Sequence, residues 1–141
     1  MTKSIEESLR ENGRHWQTTV GDSMQPMLKD RKNIVEIVPV TGRLKRYDLP
    51  LYRRPDGKYV LHRILKVRGE GYVTCGDNRY CRETVPREWV VGVMSGYYKN
   101  EKFISAKSLK YRIYVHIWCD FFYIRAGILY LKNKFKRRPK K

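Results

Sequence analysis

The sequence predicts a mainly β chain: a curled antiparallel sheet or partial barrel, with a short helix in front and an amphipathic helix behind. Three observations predict it. Short β-branched and aromatic runs recur at close spacing, Gly, Pro and Asp turns separate them, and helix–strand alternation is absent. A length of 141 residues suits one compact domain with a tail. The expected division is a β region over 1–107, an amphipathic aromatic helix over 108–131 and a basic tail over 132–141.

The elements follow in order. Ser4 to Glu11 reads as a short helix, capped by Ser4, acidic in its first turn and stopped at Asn12-Gly13. His15 to Val20 is strand-like and leads into Gly21-Asp22-Ser23-Met24-Gln25-Pro26, a tight turn. Asn33 to Val40 is β-branched and ends near Pro39. Leu49–Tyr52 and Lys58–Val67 flank Arg54-Pro55-Asp56-Gly57, a hairpin signal. Tyr72–Cys75 is another strand, Gly76-Asp77-Asn78-Arg79 a loop, and Glu88–Tyr98 a final strand bent at Gly92.

From Ser108 the period changes. Ile113, Ile117, Phe121, Ile124, Ile128 and Leu131 recur at spacings of three and four, widened by Val115, Trp118, Phe122 and Leu129. Arg112, His116, Asp120 and Arg125 interrupt this segment, and ionisable groups are costly at a bilayer centre. The expectation is a helix lying at a membrane surface or packed on a partner, not a span.

A formal net charge of +17 implies an anionic neighbour. Seven cations in the segment KNKFKRRPKK, next to an aromatic helix, favour anionic lipid over nucleic acid as that neighbour. A solvated basic tail is the plain alternative. Cys75, Cys81 and Cys119 show no zinc-type pairing and suit reduced thiols, and the charged N-terminus has no signal-peptide core. The expectation is a cytoplasmic chain, peripheral at the membrane. No metal, nucleotide or other cofactor motif is present.

Ser23 carries the chemistry if anything does. Alone, Gly-Asp-Ser reads as a surface turn, but such a turn can also present a hydroxyl as a nucleophile. The nucleophile needs a base. His62, in the apolar run Tyr-Val-Leu-His-Arg-Ile-Leu, is the candidate, because a neutral imidazole takes a proton near pH 7. His15 and His116 have weaker contexts. Asp77 and Glu83 are the acids available to orient the base.

Gly-x-Ser-Met-x-Pro, then an apolar strand carrying His-Arg, then Gly-Asp-Asn, resembles the ordered signature of the signal peptidase I superfamily. That superfamily also includes the self-cleaving SOS-repressor proteases. The likeness covers Thr19 to Ser95. It implies a mostly β serine endopeptidase, without cofactor, that acts on a peptide or protein precursor. In it Ser23 is the nucleophile and His62 the base, as in the endoplasmic-reticulum and archaeal type, where other members use lysine. Gly21, Asp22, Met24 and Pro26 become the candidates for oxyanion and substrate contacts. The third acid falls to Asp77 or Glu83. Gly21 stands where many members carry a hydroxyl, so the oxyanion hole rests on backbone amides, with Ser23's own amide first. Lys58 and Lys66, at even offsets from His62 along one strand, share its expected face. The alternative from another class is a basic membrane- or nucleic-acid-binding module with an inactive protease-like core.

Overall fold

The computed structural model describes residues 3–136, with Phe122 and Tyr123 described by backbone alone. Expectations that fall on the Phe122 side chain and on residues 137–141 lie outside the described residues.

Helix α1 (Ile5–Asn12) opens with a full capping box: the Ser4 hydroxyl accepts from Glu7 N–H while the Glu7 carboxylate accepts from Ser4 N–H. Gly13 closes it at φ +70°. Its apolar side, Ile5 and Leu9, is buried. Strands β1 (His15–Thr18), β2 (Ile34–Val38), β3 (Pro50–Arg53), β4 (Tyr59–Leu61), β8 (Val90–Lys99) and β9 (Lys102–Ser105) form one antiparallel sheet. Its path is β1-β2-β8-β3-β4, with β9 paired to β8. Strands β5 (Arg63–Val67), β6 (Gly71–Cys75) and β7 (Glu83–Pro86) form a second antiparallel sheet. The first sheet curls as a half-barrel over a core of Met24, Leu28, Val35, Ile37, Leu51 and Met94. The architecture is therefore mainly β, as its short, turn-punctuated runs predict.

Curling needs local departures from a flat ladder. Register shifts lie between Glu36 and Ile37 against β8, and between Leu51 and Tyr52 against β8. Gly92 sits at the second shift, where an added Cβ would lie 2.6 Å from the Ile37 side chain. The bend expected at Gly92 thus has a packing cause.

Four elements differ from expectation. The run Lys58–Val67 is not one strand: it breaks at His62, passing from β4 in the first sheet to β5 in the second. Lys66 goes with the second sheet, where it is exposed, so only Lys58 stays near the first. Glu83 opens a strand, and β9 pairs with the end of β8, neither of which alternation had indicated. The single helix expected over 108–131 is two, α2 (Leu109–Cys119) and α3 (Phe122–Lys136), separated at Asp120 and Phe121. Ser108 caps α2 through its hydroxyl. None of the helices is long and apolar enough to cross a membrane among the described residues. Cys75, Cys81 and Cys119 are free thiols.

Candidate active site

The turn after β1 is tied at both ends. Gly21 takes φ +90°, a left-handed value that favours glycine, and its N–H donates to Asp30 Oδ1 at 2.8 Å. Thr19 N–H donates to Asn33 O and Arg31 N–H to Thr19 O. This clamps the segment from Gly21 to Asp30 into a loop closed at its neck. Met24, Met27 and Leu28 are buried in the core, so the loop is packed from beneath while Ser23 stays half-buried.

The Gly-Asp-Asn loop is the bed on which the Ser23 turn rests. Asn78 N–H donates to Ser23 O at 2.8 Å, and Asn78 Nδ2 donates to Asp22 O at 3.0 Å. A Cβ on Gly76 would fall 2.5 Å from Ser23 O, so only glycine admits this approach. Asp77 N–H donates to Met24 Sδ at 3.4 Å. Arg79 donates to the Asp22 carboxylate at 2.6 Å, which holds that carboxyl below its usual range.

Asp77 does not orient His62. Its carboxylate accepts Arg63 Nε at 2.8 Å and Arg63 Nη2 at 2.9 Å, both side chains being fully buried. Tyr114 OH donates to the same carboxylate at 2.9 Å, and Trp118 Nε1 donates to the Asp77 carbonyl. Arg63 also donates to Tyr47 O and Tyr111 OH. Burial works against the Arg63 charge, yet Asp77 holds its pKa well above the ordinary value. Such a pair resists removal of either partner. Because Arg63 follows His62, it joins the loop beneath Ser23 to the strand break at His62. Asp77 is thus satisfied by its own ion pair.

His62 sits at the joint between the two sheets. In the β3–β4 register Tyr52 faces Val60, so His62 is the diagonal neighbour of Tyr52 on the same face. Their rings meet edge to face, and His62 Nδ1 lies 3.4 Å from Tyr52 Oη. The buried Tyr52 hydroxyl also meets Thr74 Oγ1 at 3.3 Å and hydrogen-bonds with Glu83. Arg54 grips Glu83 with two hydrogen bonds, the shorter 2.6 Å. Burial pushes the Glu83 carboxyl up, but the Arg54 and Tyr52 hydrogen bonds outweigh it and hold the group ionised. Glu83 therefore reaches His62 through Tyr52 and does not bond it directly.

The Tyr52 hydroxyl has one proton and three neighbours, Thr74, His62 and Glu83. With that proton turned to the ionised Glu83, which only accepts, the Tyr52 oxygen accepts from His62 Nδ1–H and Nε2 is the acceptor nitrogen. Burial pushes His62 down to about 4, helped by Arg54 and Arg79 and opposed by Glu83 and Asp77. The imidazole is neutral at pH 7.

Ser23 and His62 line one cleft of about 460 Å³. Gly21, Met24, Lys58 and Arg79 line it too, over a floor that includes Leu28, Val35, Ile37 and Leu51. Asp22 and Pro26 do not: Asp22 turns to Arg79, and Pro26 faces solvent. Among the described residues no acceptor engages the Ser23 N–H. The cleft lies between β1 and β4, the two terminal strands of the sheet path, and residues of both line it. His15 is on β1 beside Gln17, and His116 pairs with Asp120 on α2; neither lines the cleft. Tyr52 and Arg54 escaped sequence reading, although hairpin register counted outward from Pro55-Asp56-Gly57 places Tyr52 beside His62.

No protein-family model matches the chain, and no curated protein matches it.

Proposed function

We propose that this chain is a serine endopeptidase of the signal peptidase I type that cleaves a signal- or leader-like segment of a precursor. The observation that carries the reading is that Ser23 and a neutral His62, far apart in sequence, line the same cleft. Ser23 Oγ attacks the scissile carbonyl while His62 Nε2 takes its proton. The positive charge that develops on the half-buried imidazole is offset by Glu83 through Tyr52. The Ser23 amide stabilises the oxyanion, and His62 returns the proton to the leaving amine. An extended substrate enters between the free edges of β1 and β4 as an added strand, with small or apolar side chains over the Leu28–Val35 floor.

The test is mass spectrometry of candidate precursors incubated with wild-type, Ser23→Ala and His62→Ala protein. The reading expects defined cleavage by wild type and none by either variant, with both variants folded by circular dichroism. Normal cleavage by the His62→Ala protein would sink the dyad. Salt-sensitive DNA binding, with no acylation of Ser23 by a serine-reactive probe, would instead favour a binding module.

A further inference from the structure

Helices α2 and α3 carry two apolar sides, and only one is used. Tyr111, Val115, Cys119, Arg125 and Leu129 pack inward. Leu109, Ile113, Ile117, Phe121, Ile124, Ile128, Leu131 and Phe135 repeat at spacings of three and four on the other side. All eight are at least half exposed, and Leu109, Ile117, Ile124 and Phe135 are 63–73% exposed. A row of this length is far beyond the scattered apolar residues of an ordinary surface.

Charge decides what covers it. Lys110, Arg112, Lys132, Lys134 and Lys136 are exposed on the same two helices, against one acidic residue, Asp120, which is bonded to Tyr47 and His116. Arg137, Arg138, Lys140 and Lys141 continue the same sign in the sequence. A second copy laid stripe to stripe would bring like charges together. Nucleic acid would satisfy the lysines and leave the isoleucines and phenylalanines in water. An anionic lipid surface satisfies both, taking the apolar row into the acyl boundary and the cations at the headgroups.

We propose that the outer stripe of α2 and α3 docks this chain on an anionic membrane surface, with the helices lying in the interface plane. The anchoring of the helices to the body favours this. Arg125 donates to Arg79 O at 3.4 Å, and the Tyr80 and Tyr130 rings meet edge to face. The stripe is thus fixed to the loop beneath Ser23, and the Lys136 charge is felt by Asp22. Docking therefore holds the Ser23 turn close to the headgroups, where a membrane-associated precursor segment is available. That last step rests on the proteolytic reading; the docking itself does not.

The test is co-sedimentation of the full chain with phosphatidylcholine vesicles with and without one-third phosphatidylglycerol. Wild type and Ser23→Ala are expected to pellet alike with the anionic vesicles, and less as salt is raised. Ile117→Asp with Ile124→Asp changes two exposed positions and leaves the fold intact by circular dichroism. It is expected to weaken vesicle binding by about tenfold or more, the loss from two apolar contacts. Lys132→Glu with Lys134→Glu weakens anionic-vesicle binding alone. Wild type left in the supernatant, or unchanged binding by the Ile117→Asp/Ile124→Asp protein, overturns the proposal. So does tighter binding to a DNA duplex than to vesicles, or a vesicle-free dimer that the stripe substitutions dissociate. Ser23 acylation is measured on the same samples, so loss of docking and loss of the proteolytic reading are told apart.

Discussion

The acid limb of Ser23 reactivity is the sharpest prediction, because burial sets it and not the identity of a substrate. The perturbation is a fall in pH from 7.5 to 5.5. An ordinary histidine near 6.5 would be roughly 9% neutral at pH 5.5, a loss of about tenfold in base. His62, pushed down to about 4 chiefly by burial, stays roughly 97% neutral at that pH. The sign is fixed: the base form exists above the folded pKa, so reactivity rises with pH through about 4 and is flat from 5.5 to 7.5. The assay is the second-order rate of Ser23 phosphonylation by a fluorophosphonate, followed by intact mass, with Ser23→Ala as the blank. An inflection near 6.5 would refute the neutral, partly desolvated base. A limb rising only above pH 9 would transfer the role to a lysine, with Lys58 the one that lines the cleft. Linkage gives a companion sign: the unfolded histidine takes its proton near 6.5, so this contribution to stability is lost as pH falls from there through about 4.

Three substitutions probe the supporting residues. Tyr52→Phe keeps the ring against His62 and removes the hydroxyl between His62 and Glu83; acylation at pH 7 is expected to fall by about tenfold or more. Nitrogen-15 spectra should then show a mixed His62 tautomer, a change that a merely structural tyrosine would not cause. Gly76→Ala drives a Cβ into Ser23 O and is expected to abolish acylation, whereas unchanged reactivity would deny the loop its role as a bed. Asp77→Asn leaves a buried Arg63 charge unpaired and should cost about 3–5 kcal/mol in urea unfolding. If it lost reactivity with no change in stability, Asp77 would belong to the chemistry after all.

Local signals were readable where the chain decides its own conformation. Ser4 with Glu7, the Pro55-Asp56-Gly57 turn and Gly21 act within a few residues, so the first helix, the hairpin and the Ser23 turn could be placed from sequence. Interactions across the fold were not readable. Arg63 and Asp77 are both charged residues in motifs, and nothing in their spacing says that they are each other's partner. His62 lies in a run with unbroken β propensity, and the break there comes from the change of sheet, a tertiary event. Glu83 was one of the two acids expected to orient His62, but its link to His62 passes through Tyr52, whose place depends on strand register. The helical period from Ser108 was plain, yet period alone could not say which of two apolar sides would face the body.

The inward side of α2 has a bearing on where this chain can be cut. The Tyr111 and Tyr114 hydroxyls bond the Arg63 guanidinium and the Asp77 carboxylate, and the Trp118 indole donates to the Asp77 carbonyl. A shortened version ending at the last strand would wet that ion pair. It would also loosen the residue next to His62 and the loop beneath Ser23 together. The helix that looks like an appendage in the sequence is the lid of the polar core, and any minimal version of the protein has to keep it.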